Sequence, residues 1–175
     1  LIGFSPIIAA CAALVKLTSR GPVFYTQERV GQFGRIFRII KLRTMRVDAE
    51  TRTGPVWAEK NDPRVTPVGA FLRKTHLDEL PQLINVIRGE MSLVGPRPER
   101  PCFVEELKRQ VPDYAKRLAI KPGITGLAQV RAEADRTLRD VRRKVKLDLL
   151  YIRRMCWICD FLVMLRTLRK FAGRA

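Results

Sequence analysis

The sequence predicts an α/β (α+β) domain, mostly short helices around one small antiparallel sheet element, led by an apolar N-terminal helix broken at Ser5-Pro6. Three observations predict it. Two runs rich in β-branched and aromatic residues, VFYTQERVG and RIFRIIKLRTM, flank Gly31 and Gly34, as two short strands joined by a turn would. Several later stretches repeat apolar residues at helical spacing between Pro and Gly punctuation. The first fifteen residues, LIGFSPIIAACAALV, are nearly all apolar.

That opening run is shorter than the ~20 residues a membrane-spanning helix needs. Lys16 and Arg20 follow it. A core helix and a half-segment dipping into one leaflet both fit, and composition does not separate them. Leu1 is not an initiator methionine, so the chain reads as part of a longer one. Gly21-Pro22 makes a turn into the two strands. Residues 48 to 66 are polar, with Gly54-Pro55 and Asp62-Pro63. They read as a loop long enough to be a binding lid. Val68 to Lys74 reads as a short helix. A helical pattern from Phe103 to Gln110 is closed by Pro112. KPGITGLAQV, Lys121 to Val130, reads as a Gly/Pro loop whose glycines let backbone approach a ligand closely.

From Leu138 to Ile152 the residues Leu138, Val141, Val145, Leu149 and Ile152 share one face. Arg136, Arg139, Arg142, Arg143 and Lys146 cover the rest. This is either a solvated charged face or a helix lying on an anionic membrane surface. Met155 to Leu168 is apolar except for Asp160 and Arg166, and too short to span. Within it Cys156 and Cys159 form a C-x-x-C. With no second pair and one histidine in the chain, zinc lacks ligands. The pair reads as buried or membrane-facing thiols, and nothing points to a disulfide framework.

The chain has 175 residues and a formal net charge of +17. That length supports a domain with a real core, and 46% hydrophobic residues exclude disorder by composition. The charge implies an anionic partner: nucleic acid, anionic lipid or a phosphorylated substrate. Arginine outnumbers lysine, which favours planar phosphate recognition without choosing among the three.

The stretch THLDELPQLINVIRGEMSLVGPRP, Thr75 to Pro98, concentrates the chemistry. Leu80, Leu83, Ile84 and Ile87 have helical spacing, and Gly89 is a natural stop. Pro81 belongs in a first turn, where no donor is needed. That puts Asp78 at or near the N-cap and excludes Thr75 as the cap. Asp78 and Glu79 would then sit where free N–H groups and the positive dipole end gather, a place that suits phosphate. Two carboxylates there also suit magnesium, which brings phosphate oxygens with it. An N-cap and a favourable first-turn charge explain the same pair without chemistry.

Taken in order, GPVFYTQERVG, KLRTM, DPRVTPVGAFLRKTHLDELPQLINVIRGEMSLVGPRP, KPGITGLAQV and LDLLYI resemble the bacterial sugar transferase family, the monotopic phosphoglycosyl transferases or polyprenyl-phosphate hexose-1-phosphate transferases. The resemblance runs from about Ser5 to Leu168. It implies a Mg2+-dependent enzyme that moves a sugar-1-phosphate from a UDP-sugar to undecaprenyl phosphate and releases UMP, the first membrane step of polysaccharide or glycoconjugate assembly. It makes Asp78 and Glu79 the catalytic dyad and metal ligands, with Asp78 attacking the β-phosphate and carrying a phospho-sugar. Lys41, Arg43 and Arg97 become phosphate-binding residues, and Asp148 and Asp160 supporting ones. The opening segment becomes a re-entrant membrane helix broken at Ser5-Pro6. Residues 1-20 are then the C-terminal half of that helix. Residues 21-175 are a compact, mostly helical catalytic domain with membrane-surface amphipathic helices, at the cytoplasmic face of the bacterial inner membrane. Membrane lipids join the two substrates as partners. Nucleic acid is not expected, and a homo-oligomer is left open.

Elementary electrostatics agrees with that chemistry. A carboxylate attacking a diphosphate needs its repulsion neutralised by cations or N–H dipoles. A covalent intermediate lets the nucleotide leave before the lipid arrives. The sequence departs from the common family pattern at His76, Leu127, Cys156 and the RAEADRTLRD stretch after Val130. The last bears on donor choice, so the sugar is not transferable; glucose or galactose is the expectation from resemblance alone. Two rivals remain. A basic nucleic-acid-binding protein would interleave aromatics with basic residues, whereas aromatics are 7% and lie mostly in apolar runs. A non-catalytic membrane-surface scaffold would not need an intact Asp-Glu pair and GPRP turn.

Overall fold

The computed structural model describes residues 2–49, 54, 62–132 and 137–172. The two β-rich runs form β1 (Phe24–Val30) and β2 (Ile36–Leu42), paired in a two-stranded sheet. Five residues separate them, too few for a parallel crossover, so the pair is antiparallel. The Gly31 N–H donates to Arg35 O at 2.7 Å, and a 3-10 turn over Gln32–Gly34 carries Phe33 at φ 56° and Gly34 at φ 82°. The chain divides into two units, Leu1–Thr26 with Ile40–Ile84 and Gln27–Ile39 with Asn85–Ala175. The division passes through both strands.

In the first unit, α1 (Ser5–Thr18) starts at the predicted break. Pro6 falls in its first turn, where a missing N–H costs nothing. Only Cys11 and Val15 of α1 are buried. They pack on Leu42 and Leu72, with Val23, Val68 and Leu77 around them. Phe4, Ile7, Leu14 and Leu17 stay exposed. No helix among the described residues is long and apolar enough to cross a membrane. Most of the polar loop, residues 50–53 and 55–61, lies outside the described residues, and so does the lid expected there. Its ends pair: Met45 and Val65 form an antiparallel bridge, and Thr66 N–H donates to Thr44 O at 3.0 Å.

α2 (Pro67–Thr75) follows, one residue longer at each end than its apolar pattern predicts. Thr66 Oγ1 caps it by accepting from Gly69 N–H at 2.9 Å. Gly69 is required by a close approach. A Cβ there would stand 2.0 Å from the Thr44 carbonyl oxygen. α3 (Leu83–Ile87) begins after a 3-10 turn over Leu77–Gln82.

The second unit contains β3 (Ser92–Val94), α4 (Pro101–Gln110), β4 (Gly123–Thr125), α5 (Leu127–Arg131), α6 (Leu138–Arg154) and α7 (Trp157–Ala172). β3 and β4 pair in parallel, Ser92 opposite Gly123 and Val94 opposite Thr125. The predicted Gly/Pro loop is thus a strand followed by a helical turn. Its glycines meet the chain's own backbone: Gly95 N–H donates to Thr125 O at 2.9 Å, and a Cβ on Gly123 would stand 2.1 Å from Gly95 N.

α6 carries a full capping box, Thr137 with Asp140, and buries Val141 and Val145 against Val30, Val104, Leu107, Val111 and Tyr114. Its apolar side is spent on that core, and Arg139, Arg142, Arg143 and Lys146 face outward. α7 behaves differently. It buries Val163 and leaves Trp157, Ile158, Phe161, Leu162 and Leu168 exposed. Cys156 is exposed and Cys159 partly so, which removes the buried alternative for these thiols and leaves the membrane-facing one. They lie at the helix start, where fewer neighbours cover a side chain.

Candidate active site

The acidic pair lies on the turn between α2 and α3. α2 ends because His76 adopts the left-handed conformation (φ 56°, ψ 18°), which histidine tolerates better than bulky apolar residues. The chain then tightens into the 3-10 turn Leu77–Gln82, with His76 at its N-cap and Pro81 inside it. Asp78 and Glu79 are therefore second and third in a 3-10 turn, not at the N-cap of an α-helix. Pro81 explains the difference. Its ring disfavours α conformation at Leu80, so regular helix starts only at Leu83. Thr75 is not a cap, as predicted; its Oγ1 donates back to Phe71 O at 2.9 Å.

Both carboxylates are buried, Asp78 at 7% and Glu79 at 9% exposure. A buried carboxylate must be paired or hydrogen-bonded. Strand β2 supplies the first partner: Lys41 Nζ donates to Glu79 Oε1 at 2.6 Å. Two residues expected separately, Lys41 for phosphate and Glu79 in the dyad, are thus brought together across 38 positions of sequence.

Sequence reasoning missed the second cation. Arg73, on the last turn of α2, donates through Nε to Thr44 Oγ1 at 2.8 Å. Burial pushes its pKa below the ordinary arginine value, while Asp78, Asp62 and Glu79 pull it back up. Arg73 stands five residues before Asp78, and its signal was basic residues in the final turn of a helix that leads into the acidic pair. Arg64 and Asp62 close the same region with a two-pronged ion pair: Arg64 Nη2 to Asp62 Oδ2 at 2.6 Å and Nε to Oδ1 at 2.8 Å. Those hydrogen bonds hold the Asp62 carboxyl down at about 2. Gln82, 2% exposed on the acidic turn, keeps its Nε2 without a hydrogen-bond partner among the described residues.

The other predicted residues do different things. Arg43 is buried, and its guanidinium fastens the end of α1: Nη1 donates to Arg20 O at 2.7 Å and Nη2 to Ser19 O at 3.0 Å and Ser19 Oγ at 2.7 Å. Arg97, Asp148 and Asp160 belong to the second unit. Arg97 is exposed on the GPRP turn, and its carbonyl accepts from Arg117 Nη2 at 3.0 Å. Arg117 also donates Nε to Asp148 Oδ2 at 2.8 Å and Nη1 to the Tyr114 hydroxyl at 3.0 Å. Burial opposes its charge, but Asp148, Tyr114 and Glu99 outweigh it and raise its pKa above the ordinary value. Asp148 thereby anchors the arginine that holds the GPRP turn. Asp160 accepts a 2.5 Å hydrogen bond from the Tyr151 hydroxyl, tying α7 to α6.

No group of three or more His, Cys, Asp or Glu side chains among the described residues is set to hold a metal. Two adjacent carboxylates, one already shared with a lysine, fit an ion that arrives with phosphate oxygens. Magnesium behaves so, taking one or two carboxylates and completing its shell with water and substrate phosphate.

The family model described as bacterial sugar transferase matches residues 1–174. The UDP-N-acetylgalactosamine-undecaprenyl-phosphate N-acetylgalactosaminephosphotransferase of Aeromonas hydrophila is 45% identical over 170 residues, covering 95% of this chain and 39% of that protein. The UDP-glucose:undecaprenyl-phosphate glucose-1-phosphate transferase of Escherichia coli (strain K12) is 43% identical over 179 residues, covering 100% of this chain and 38% of that protein. The Klebsiella pneumoniae protein of the same name is 47% identical over 156 residues, covering 87% of this chain and 33% of its own. The chain spans well under half the length of these three relatives.

Proposed function

The chain belongs to the bacterial sugar transferase family, and from that premise we propose that it transfers a sugar-1-phosphate from a UDP-sugar to undecaprenyl phosphate. The observation that carries the assignment to particular residues is the buried acidic turn, with Lys41 at 2.6 Å from Glu79 and Arg73 on the last turn of the helix that leads into it.

Asp78 is the nucleophile. An Asp78 oxygen attacks the phosphorus that bears the sugar, the bond from that phosphorus to the bridging oxygen breaks, and UMP leaves with the electron pair. The chain then carries a phospho-sugar on Asp78. A phosphate oxygen of undecaprenyl phosphate attacks the same phosphorus, freeing Asp78 and completing the lipid diphosphate-sugar. The two-step path spares the site from holding a soluble and a lipid substrate at once. Lys41 and Arg73 neutralise the charge that gathers as anion meets anion. Glu79, fixed by Lys41, orients the turn and would hold a bound metal together with Asp78. The buried Gln82 amide is a donor for a ligand oxygen. Magnesium, when bound, supplies further charge neutralisation at the diphosphate. Arg97 is assigned to phosphate by its GPRP motif. Arg43 supports the site by holding the α1 end.

The proposal extends to the setting. Residues 1-20 enter one leaflet as half of a re-entrant helix, consistent with Phe4 just before α1 and Ile7, Leu14 and Leu17 on it lying exposed. Residues 21-175 work at the cytoplasmic face of the inner membrane. The exposed apolar residues of α7 meet lipid there, and the basic side of α6 suits anionic headgroups. The two most extensively covered relatives named above act on different sugars, N-acetylgalactosamine and glucose, so the donor is either of these two UDP-sugars. The test is UMP release from each donor with magnesium, with and without undecaprenyl phosphate. Transfer predicts sustained release only with the lipid. No release with either donor overturns the reading.

A further inference from the structure

The phosphoglycosyl chemistry leaves one pair of nucleophiles unused, Cys156 and Cys159 at the start of α7. Cys156 is the N-cap of that helix. Its carbonyl accepts the first helical bond, from Asp160 N–H at 3.0 Å, and its Sγ accepts from the Cys159 N–H at 3.5 Å. A sulfur in this position does what a serine oxygen does at an N-cap, so capping accounts for Cys156. It does not account for a second thiol at Cys159, the residue whose N–H that sulfur holds. Residues three apart on a helix share a face, and neither thiol is buried: Cys156 is exposed and Cys159 partly so.

We propose that Cys156 and Cys159 are a redox-active dithiol, which a small-molecule disulfide closes to an intramolecular disulfide with Cys156 attacking first. The Cys156 thiolate attacks one sulfur of the small disulfide and expels its partner as a thiolate. The Cys159 thiolate then attacks Cys156 Sγ and expels the second. The net exchange oxidises the protein pair by two electrons and two protons and reduces one small disulfide to two thiols. The order follows from the surroundings. The N–H groups of Cys159 and then Ile158 hold Cys156 below the usual thiol range against the opposing Asp160 carboxylate. Cys159 is pushed up, chiefly by the neighbouring Cys156 side chain. A more populated thiolate attacks faster, by about threefold per unit once the accompanying loss of nucleophilicity is allowed for.

The four cysteines give the experiment its internal control. Cys11 is buried and Cys102 is exposed on α4 without a partner thiol in its sequence neighbourhood. The reduced full chain, in phospholipid nanodiscs, is treated with glutathione disulfide, quenched in acid and mapped by mass spectrometry. The expected result is loss of two hydrogens from the peptide holding both Cys156 and Cys159, severalfold faster than any capture at Cys102. Cys159→Ser traps a lasting mixed disulfide on Cys156. Cys156→Ser keeps the cap and so the fold, but abolishes closure and leaves Cys159 no faster than Cys102. The proposal is overturned if Cys156 and Cys102 are captured alike with no closure, if the pair does not react at all, or if Cys159 proves the faster thiol.

Discussion

Gly69→Ala sets two principles against each other at the base of the acidic turn. Helix propensity alone makes the change stabilising by about 0.8–1 kcal/mol. The structure predicts the opposite sign. A Cβ at Gly69 would lie 2.0 Å from Thr44 O and 2.7 Å from Thr44 C and Cα, whereas carbon–oxygen contacts settle near ~3.3 Å. α2 must therefore withdraw by about 1 Å, and backbone cannot turn aside as a flexible side chain would. Withdrawal stretches Thr66 N–H to Thr44 O (3.0 Å) and Arg73 Nε to Thr44 Oγ1 (2.8 Å). Overpacking costs about 1–3 kcal/mol, and the two weakened hydrogen bonds place this case at the upper end. Offsetting the propensity gain leaves a net loss of about 2 kcal/mol. At this chain length that lowers Tm by about 4–8 °C. Thermal unfolding of both proteins in the same detergent measures it, and UMP release should fall in parallel because Arg73 ends α2. A rise in Tm would refute the close approach and the seating of α2 built on it.

Three other substitutions follow from the same contacts. Lys41→Met strands the Glu79 carboxylate, which should lower stability by roughly 1–3 kcal/mol, below the ~3–5 of a fully buried pair, and cut turnover by about a hundredfold. Adding Glu79→Gln should restore stability without restoring turnover, which unfolding and UMP assays separate. Asp62→Asn removes a carboxyl whose folded pKa is about 2 against an ordinary 3.8. Its stabilising contribution is complete above about pH 4 and is lost as pH falls toward 2. The Tm gap between wild type and variant should be open near about pH 6 and narrow near about pH 3. Asp148→Asn leaves the Arg117 guanidinium buried without its carboxylate and should cost about 3 kcal/mol or more; a large activity loss with unchanged Tm would instead make Asp148 a participant in the chemistry.

The sequence made β1, β2, α2, α4 and α6 legible to within a few residues, because each carries enough apolar repeats for its period to show. Motif resemblance singled out Lys41 and Glu79 one by one, but not the ion pair between them. What stayed hidden has two physical causes. Elements of three to five residues, such as β3, β4 and α5, are too short to display a period, so their glycines read as a ligand loop when they serve backbone-to-backbone contact between Gly95 and Gly123. Partners also depend on tertiary packing that spacing cannot encode. Arg73 and Arg64 gave no stronger signal than other arginines in a chain of net charge +17, and Arg117 became visible only once Asp148 and Tyr114 surrounded it. Pro81 was expected in the first turn of an α-helix; it lies instead inside the 3-10 turn Leu77–Gln82, and the α-helix starts two residues later.

Covalent capture tests the central claim, that Asp78 takes up the sugar phosphate itself. The chain is incubated with UDP-N-acetylgalactosamine or UDP-glucose and magnesium, without lipid acceptor, then digested and read by mass spectrometry. The account predicts one equivalent of UMP per active chain and a sugar-phosphate adduct on the peptide containing Asp78, both absent in Asp78→Asn. UMP formed only when undecaprenyl phosphate is present, with no adduct on that peptide, or full turnover by Asp78→Asn, would contradict it.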